Sequence, residues 1–131
     1  MHLNLDCMRD VLITLEDASF LQELTLGDII EKTPGYSEDD IKYTILKLDE
    51  ANFIDARIKQ YVDGMAILGV KDITYAGHQF IANIRTDTVW NKVKDVSKSV
   101  GATSISAITQ IASNVISEIL KAQLGIPPQI T

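Results

Sequence analysis

Apolar residues recur at intervals of three and four along most of the chain and alternate with polar ones through a single stretch. Met8, Val11, Leu12 and Leu15, behind a cap at Asn4 or Asp6, predict a first helix to about residue 17. Thr25 caps a short second helix carrying Ile29 and Ile30, with Asp28 in capping-box position, and Thr33-Pro34-Gly35 breaks it. Ser37 caps a third, whose first turn holds Glu38, Asp39 and Asp40, where the helix dipole favours carboxylates. Ile41, Thr44, Ile45 and Leu48 form its inward stripe, and Ala51-Asn52 end it.

The period then changes. From Phe53 to Tyr61 the pattern alternates imperfectly, with Ile54, Ala56 and Ile58 on one face. Asp63-Gly64 is a hairpin-type dipeptide, and the apolar run 65–70 follows it, which predicts a two-stranded hairpin of about 18 residues. A lone hairpin is marginally stable, so it is expected to pack on the third helix. Three helices and a hairpin make the order of a winged helix-turn-helix, with the third helix as recognition helix and the hairpin as wing.

Beyond the hairpin the helical period returns. Thr74 caps a helix with Phe80, Ile81 and Ile84 inward, and Asp87 is expected to cap the next, with Val89, Val93, Val96 and Val100 as its stripe and Gly101 as its stop. The last helix is expected over about 104–124, with Ile105, Ile108, Ala112, Val115, Ile116, Ile119 and Leu120 on one face and Gly125 and Pro127-Pro128 at its end. The expected class is mostly α (α+β). Residues 1–85 form a winged-helix domain, and 86–131 form a helical extension packed on it, or on a dimer partner, in one compact unit.

Two segments carry a resemblance. Leu46-Lys47-Leu48-Asp49-Glu50-Ala51-Asn52-Phe53-Ile54 resembles the link between recognition helix and first wing strand in winged-helix proteins. Ile73-Thr74-Tyr75-Ala76-Gly77-His78-Gln79-Phe80-Ile81 is similar to the turn after the wing in many bacterial regulators. With Tyr36-Ser37-Glu38, Arg85, Asp87 and Val89-Trp90-Asn91-Lys92, the chain resembles the family labelled domain of unknown function 2513, of Gram-positive bacteria and their prophages, over roughly residues 3–125. The resemblance implies the fold and a phage context; it implies no reaction.

Charge sharpens the picture. The 131 residues carry 18 Asp+Glu against 12 Lys+Arg, a formal net charge of −6, which excludes a uniformly basic coat for nucleic acid. The balance is uneven: residues 1–55 hold 13 acids and 4 bases, and residues 56–131 hold 5 acids and 8 bases. At 46% hydrophobic and 23% charged the composition is that of an ordinary globular domain. The opening residues lack a positive n-region and an apolar h-region. The uncharged stretch 100–117 carries too many Ser, Thr, Asn and Gln for a bilayer span. A cytoplasmic protein without membrane contact is expected.

Catalytic inventory is thin. One cysteine, Cys7, and two histidines, His2 and His78, build neither a CxxC nor an HExxH site, and Cys7 falls among helix-core residues. The run 64–71 ends in a lysine one position late for a phosphate loop, with no Ser or Thr after it. No enzyme activity and no cofactor are expected. The acids around Lys42 and Lys47 would repel phosphates, which counts against groove reading by the third helix. Arg57, Lys59 and Lys71 make the wing the better candidate contact with double-stranded DNA, Lys42 and Lys47 standing second. The resulting expectation is a DNA-associated regulator or accessory protein of phage type. The competing one is a protein-interaction module using outward Tyr43 and Leu46 on the acidic helix. The long apolar face of the last helix is expected to pair with its copy in a homodimer.

Overall fold

Helix starts in this chain, that of the fifth helix excepted, carry the side chains that their first turns need. A computed structural model describes residues 1–125, and the chain divides into two units, Met1–Ile81 and Ala82–Thr131. In the first unit, the Asn4 side-chain oxygen accepts from Cys7 N–H at 3.1 Å and starts α1 (Leu5–Glu16). Strand β1 (Leu24–Thr25) runs directly into α2 (Leu26–Lys32), and Thr25 and Asp28 complete both halves of the expected capping box. Ser37 caps α3 (Glu38–Glu50), whose Ile41, Thr44, Ile45 and Leu48 are all buried, as their spacing predicts. They meet Cys7, Met8, Val11 and Leu12 of α1 in the core. Each fully buried aliphatic side chain there contributes about 1.5–3 kcal/mol of transfer free energy.

Strands β2 (Ile54–Tyr61) and β3 (Gly64–Ile73) form the hairpin, longer than the spacing suggests. Tyr61 pairs with Gly64, so the loop residues are Val62-Asp63 and not Asp63-Gly64. Register shifts beside Ala56 and Arg57 leave Lys71 and Leu68 unpaired on β3. The short strand β1, too brief to show a period, pairs with the outer side of β3, giving an antiparallel sheet of order β1-β3-β2. Gly69 is required there: a Cβ would lie 2.3 Å from the Leu24 carbonyl oxygen.

The turn out of α3 fixes where the hairpin and the next helix begin. Asn52 adopts φ 61°, its N–H donates to Asp49 O, and Phe53 N–H donates to Leu48 O at 3.0 Å, a Schellman closure. Thr74 then docks on this turn. Its N–H donates to Phe53 O at 3.0 Å, its hydroxyl donates to Asn52 O at 2.6 Å, and Thr74 Oγ1 also accepts from Gly77 N–H at 3.1 Å. Gly77 lies so close that a Cβ would stand 2.1 Å from Phe53 O and 2.6 Å from Ile73 Cγ2. Helix α4 (Tyr75–Ile84) therefore starts on the end of α3, and Phe53 meets Phe80 with ring centroids 5.2 Å apart.

In the second unit, α5 (Asp87–Val100) and α6 (Ile105–Gln123) pack side by side. Thr86, not Asp87, occupies the cap position of α5, and it does so without a side-chain bond. The buried stripe is Val89, Trp90, Val93 and Ser97, while Val96 is half-buried and Val100 exposed. Trp90 displaces the stripe: its large ring takes the inward position and turns the last valines outward. Gly101 ends α5 at φ 70°, and Ser104 caps α6. Of the expected α6 face, Ile105, Ile108, Ala112 and Val115 are buried, whereas Ile116 and Ile119 are half-buried and Leu120 is exposed. Gly125, just past α6, adopts φ 70°; Pro127-Pro128 lie outside the described residues.

Backbone clash makes Gly77 the most sensitive glycine of the Thr74 junction. Gly77→Ala is expected to cost about 3 kcal/mol, the upper end for overpacking. Gly35→Ala, where a Cβ meets nothing within 4 Å, should change stability by less than about 0.5 kcal/mol. Urea unfolding of the two variants, followed by circular dichroism, measures the difference.

Candidate functional site

The basic residues singled out by the sequence divide between α3 and the hairpin, and most sit beside a carboxylate. On α3, Lys42 Nζ lies 2.9 Å from Glu38 Oε1 and Lys47 Nζ lies 3.0 Å from Glu50 Oε2. Bonding to these carboxylates holds both ammonium groups above their ordinary pKa. Lys47 also lies over the Tyr43 ring, 5.3 Å from its centroid. Tyr43 and Leu46 are half-buried, so neither is a fully outward anchor. The two lysines are five residues apart, roughly 140° around the helix axis, and do not share a face.

On the hairpin, Arg57 Nη2 lies 2.7 Å from Glu23 Oε1, in the segment before β1. Lys59 lies over Tyr61, 5.4 Å from its centroid, close to the loop. Lys71 is displaced from this pair by the irregular register and lines a different feature, a cleft of about 450 Å³ with Glu16, Asp72 and His78. Arg57 and Lys59 share one side of β2; Lys71 does not join them in a continuous stripe.

Two apolar features went unnoticed in the sequence. At the hairpin end, Val62 is fully exposed, and Tyr61 and Met65 are each half exposed. The signal was an apolar residue in a two-residue loop, hidden by assigning the turn one position late. In the turn after α1, Phe20 and Leu21 are exposed beside the 450 Å³ cleft, and Leu21 adopts φ 61°, an uncommon conformation for a branched residue. His78 Nδ1 stands 3.4 Å from Glu16 Oε2 at the same cleft.

The acids also have structural tasks. Asp49 Oδ1 accepts from Ala56 N–H at 2.9 Å, which braces β2 on α3. Asp28 is held below the usual carboxylate range by Thr25, first through its backbone N–H. Asp10 accepts from the Tyr36 hydroxyl at 2.6 Å, tying the α2–α3 turn to α1. Burial, then this bond, raises the tyrosine pKa. Cys7 is buried, and its Sγ accepts from the Thr44 hydroxyl at 3.5 Å; burial raises its thiol pKa as well. Among the described residues, no three His, Cys, Asp or Glu side chains come together as a metal-holding group. Nor is any described helix long and apolar enough to cross a membrane.

Residues 2–104 match a family model described as hypothetical protein (DUF2513). The chain belongs to this family. The DUF2513 match runs from the start of α1 through α5 and stops at the cap of α6. A relative carries the likeness further: an uncharacterized protein of Haemophilus influenzae (strain ATCC 51907 / DSM 11121 / KW20 / Rd) is 31% identical over 121 residues, which cover 92% of this chain and 99% of the relative. No solved structure matches the chain.

The Tyr36–Asp10 bond gives a pH dependence whose sign is fixed. The folded pKa of Tyr36 lies above the unfolded value near 10. Its contribution is therefore complete below pH 10 and is lost as pH rises above it toward the folded value. From pH 7 to about pH 11, the urea midpoint of the wild type should fall further than that of Tyr36→Phe. Equal slopes would show that the bond does not couple to folding.

Proposed function

We propose that residues 1–81 form a winged-helix unit that docks on a protein partner through its wing tip. Support for the winged-helix reading comes from the order α1-β1-α2-α3-β2-β3 and the sheet order β1-β3-β2. In this reading α3 is the recognition helix and β2–β3 is the wing. The observation that carries the protein reading is the apolar tip: Tyr61, Val62 and Met65 are exposed together at the end of a hairpin braced on α3 through Asp49. An aromatic and two aliphatic side chains at a protruding edge have the chemistry of an interface anchor. Residues 1–81 hold 15 acids against 7 bases, a net −8, so the unit repels phosphates and favours a partner with basic groups.

A second reading keeps the contact with double-stranded DNA, led by the wing, in a regulator or accessory protein of phage type. Lys59 beside the tip favours it, because a cation next to an apolar side chain is the pairing with which proteins wedge into a minor groove.

Anisotropy of a labelled mixed-sequence duplex separates the two. Between about 50 and 200 mM salt, phosphate-led binding weakens by orders of magnitude. The expected outcome is no saturable binding even at the low end. Retention of a protein by the immobilised chain, abolished in a Val62→Asp variant of unchanged circular dichroism, is the accompanying positive result. Saturable duplex binding that falls steeply with salt and is lost in Lys59→Ala would replace the protein reading with the DNA one.

A further inference from the structure

The second unit carries an apolar feature of its own, independent of the wing. A groove of about 510 Å³ runs between α5 and α6. Thr88, Lys92 and Val96 form one wall at intervals of four, and Ile111, Val115 and Ile119 form the other at the same interval. Eight residues of α5 cover about 12 Å, so the groove is two turns long. Val96, Ile111 and Ile119 are half-buried along it, the positions at which the stripe of each helix turns toward solvent.

Two charges rim this groove, and they have opposite signs on opposite walls. Lys92 stands midway along the α5 wall, and Glu118 stands on α6, 3.5 Å from Lys121. A two-fold axis along the groove lays the α5 wall of one copy over the α6 wall of the other and brings Lys92 toward Glu118 of the partner subunit, and the reverse pair forms by the same operation. That is the self-complementarity an isologous interface requires. A foreign partner needs no such match of a surface to itself. Asn114 and Thr88 add polar groups at the rim, where a paired polar residue fixes register in helical interfaces.

We infer that the α5–α6 groove is a homodimer interface, in which the helical pairs of two copies face each other as a four-helix layer and Lys92–Glu118 pairs close both edges. The apolar rows between the walls supply the association, and the two charge pairs select the register over the arrangement with α5 on α5, in which Lys92 would meet its own copy.

Light scattering on the full chain tests this with three variants: Lys92→Glu, Glu118→Lys and the two together. At about 100 μM, where an interface of micromolar affinity is mostly assembled, the wild type should run at twice the 14.5 kDa of one chain. Each single reversal places like charges opposite each other at both edges and should weaken association at least about tenfold. The double variant restores opposite charges and should recover the dimer. Both positions are exposed, and circular dichroism checks that each variant is folded. A wild type that stays at the monomer mass overturns the inference. So does a dimer indifferent to the single reversals, or a double variant that remains as weak as the singles.

Discussion

The turn at Asn52-Phe53 is the constraint on which the first unit depends. It ends α3 and starts β2, and its two carbonyl oxygens hold Thr74, whose hydroxyl oxygen in turn accepts from Gly77 N–H at the start of α4. Each of the hydrogen bonds contributes about 1 kcal/mol net, but their joint effect is geometric. The hairpin leaves α3 in one direction only, and it returns to the same point because Thr74 can bond Asn52 and Phe53 only when Ile73 pairs with Ile54. Gly77 keeps the approach close enough for those bonds to form. The resemblance noted in the two segments 46–54 and 73–81 has this physical content: they are the two halves of one junction.

With the hairpin fixed at its base, its far end projects. Asp49 adds a second brace, from the last turn of α3 to Ala56. The irregular register beyond it increases the local twist and separates Lys71 from Arg57 and Lys59. A side-by-side list of basic residues in the sequence therefore overstates how many act together. What reaches the tip is Lys59 with Tyr61, Val62 and Met65, one cation among apolar groups.

Most helices were legible because their starts and stripes are local. Ser37 and Thr25 cap where their side chains predict, and Ile41, Thr44, Ile45 and Leu48 are buried where the period puts them. The failures share a cause, which is that partners far along the chain decide them. Strand β1 is two residues whose only strand signal is the partner Gly69-Val70, with Leu24 paired to Val70 and Thr25 to Gly69 far along the chain. The α5 stripe rotates because Trp90 takes the inward position, which a count of valines does not register. The candidate site was legible as a list of charges and illegible as a surface, because Glu23 reaches Arg57 from 34 positions away.

Pairing alone does not silence those cations. Exposed ion pairs such as Lys42–Glu38, Lys47–Glu50 and Arg57–Glu23 are individually worth about 0–1 kcal/mol, and a phosphate could exchange for a carboxylate at little cost. The weight falls on the summed field. Each displaced carboxylate stays on the same domain within a few ångströms of the incoming phosphate, inside the screening length of about 8 Å at physiological salt. A unit with net −8 therefore keeps its repulsion after its pairs have been broken, and only a contact that projects past those acids escapes it. The apolar side chains at the hairpin tip gain by leaving water whatever the sign of the surrounding charge. Burial, rather than phosphate neutralisation, is therefore the driving force open to a contact at that tip.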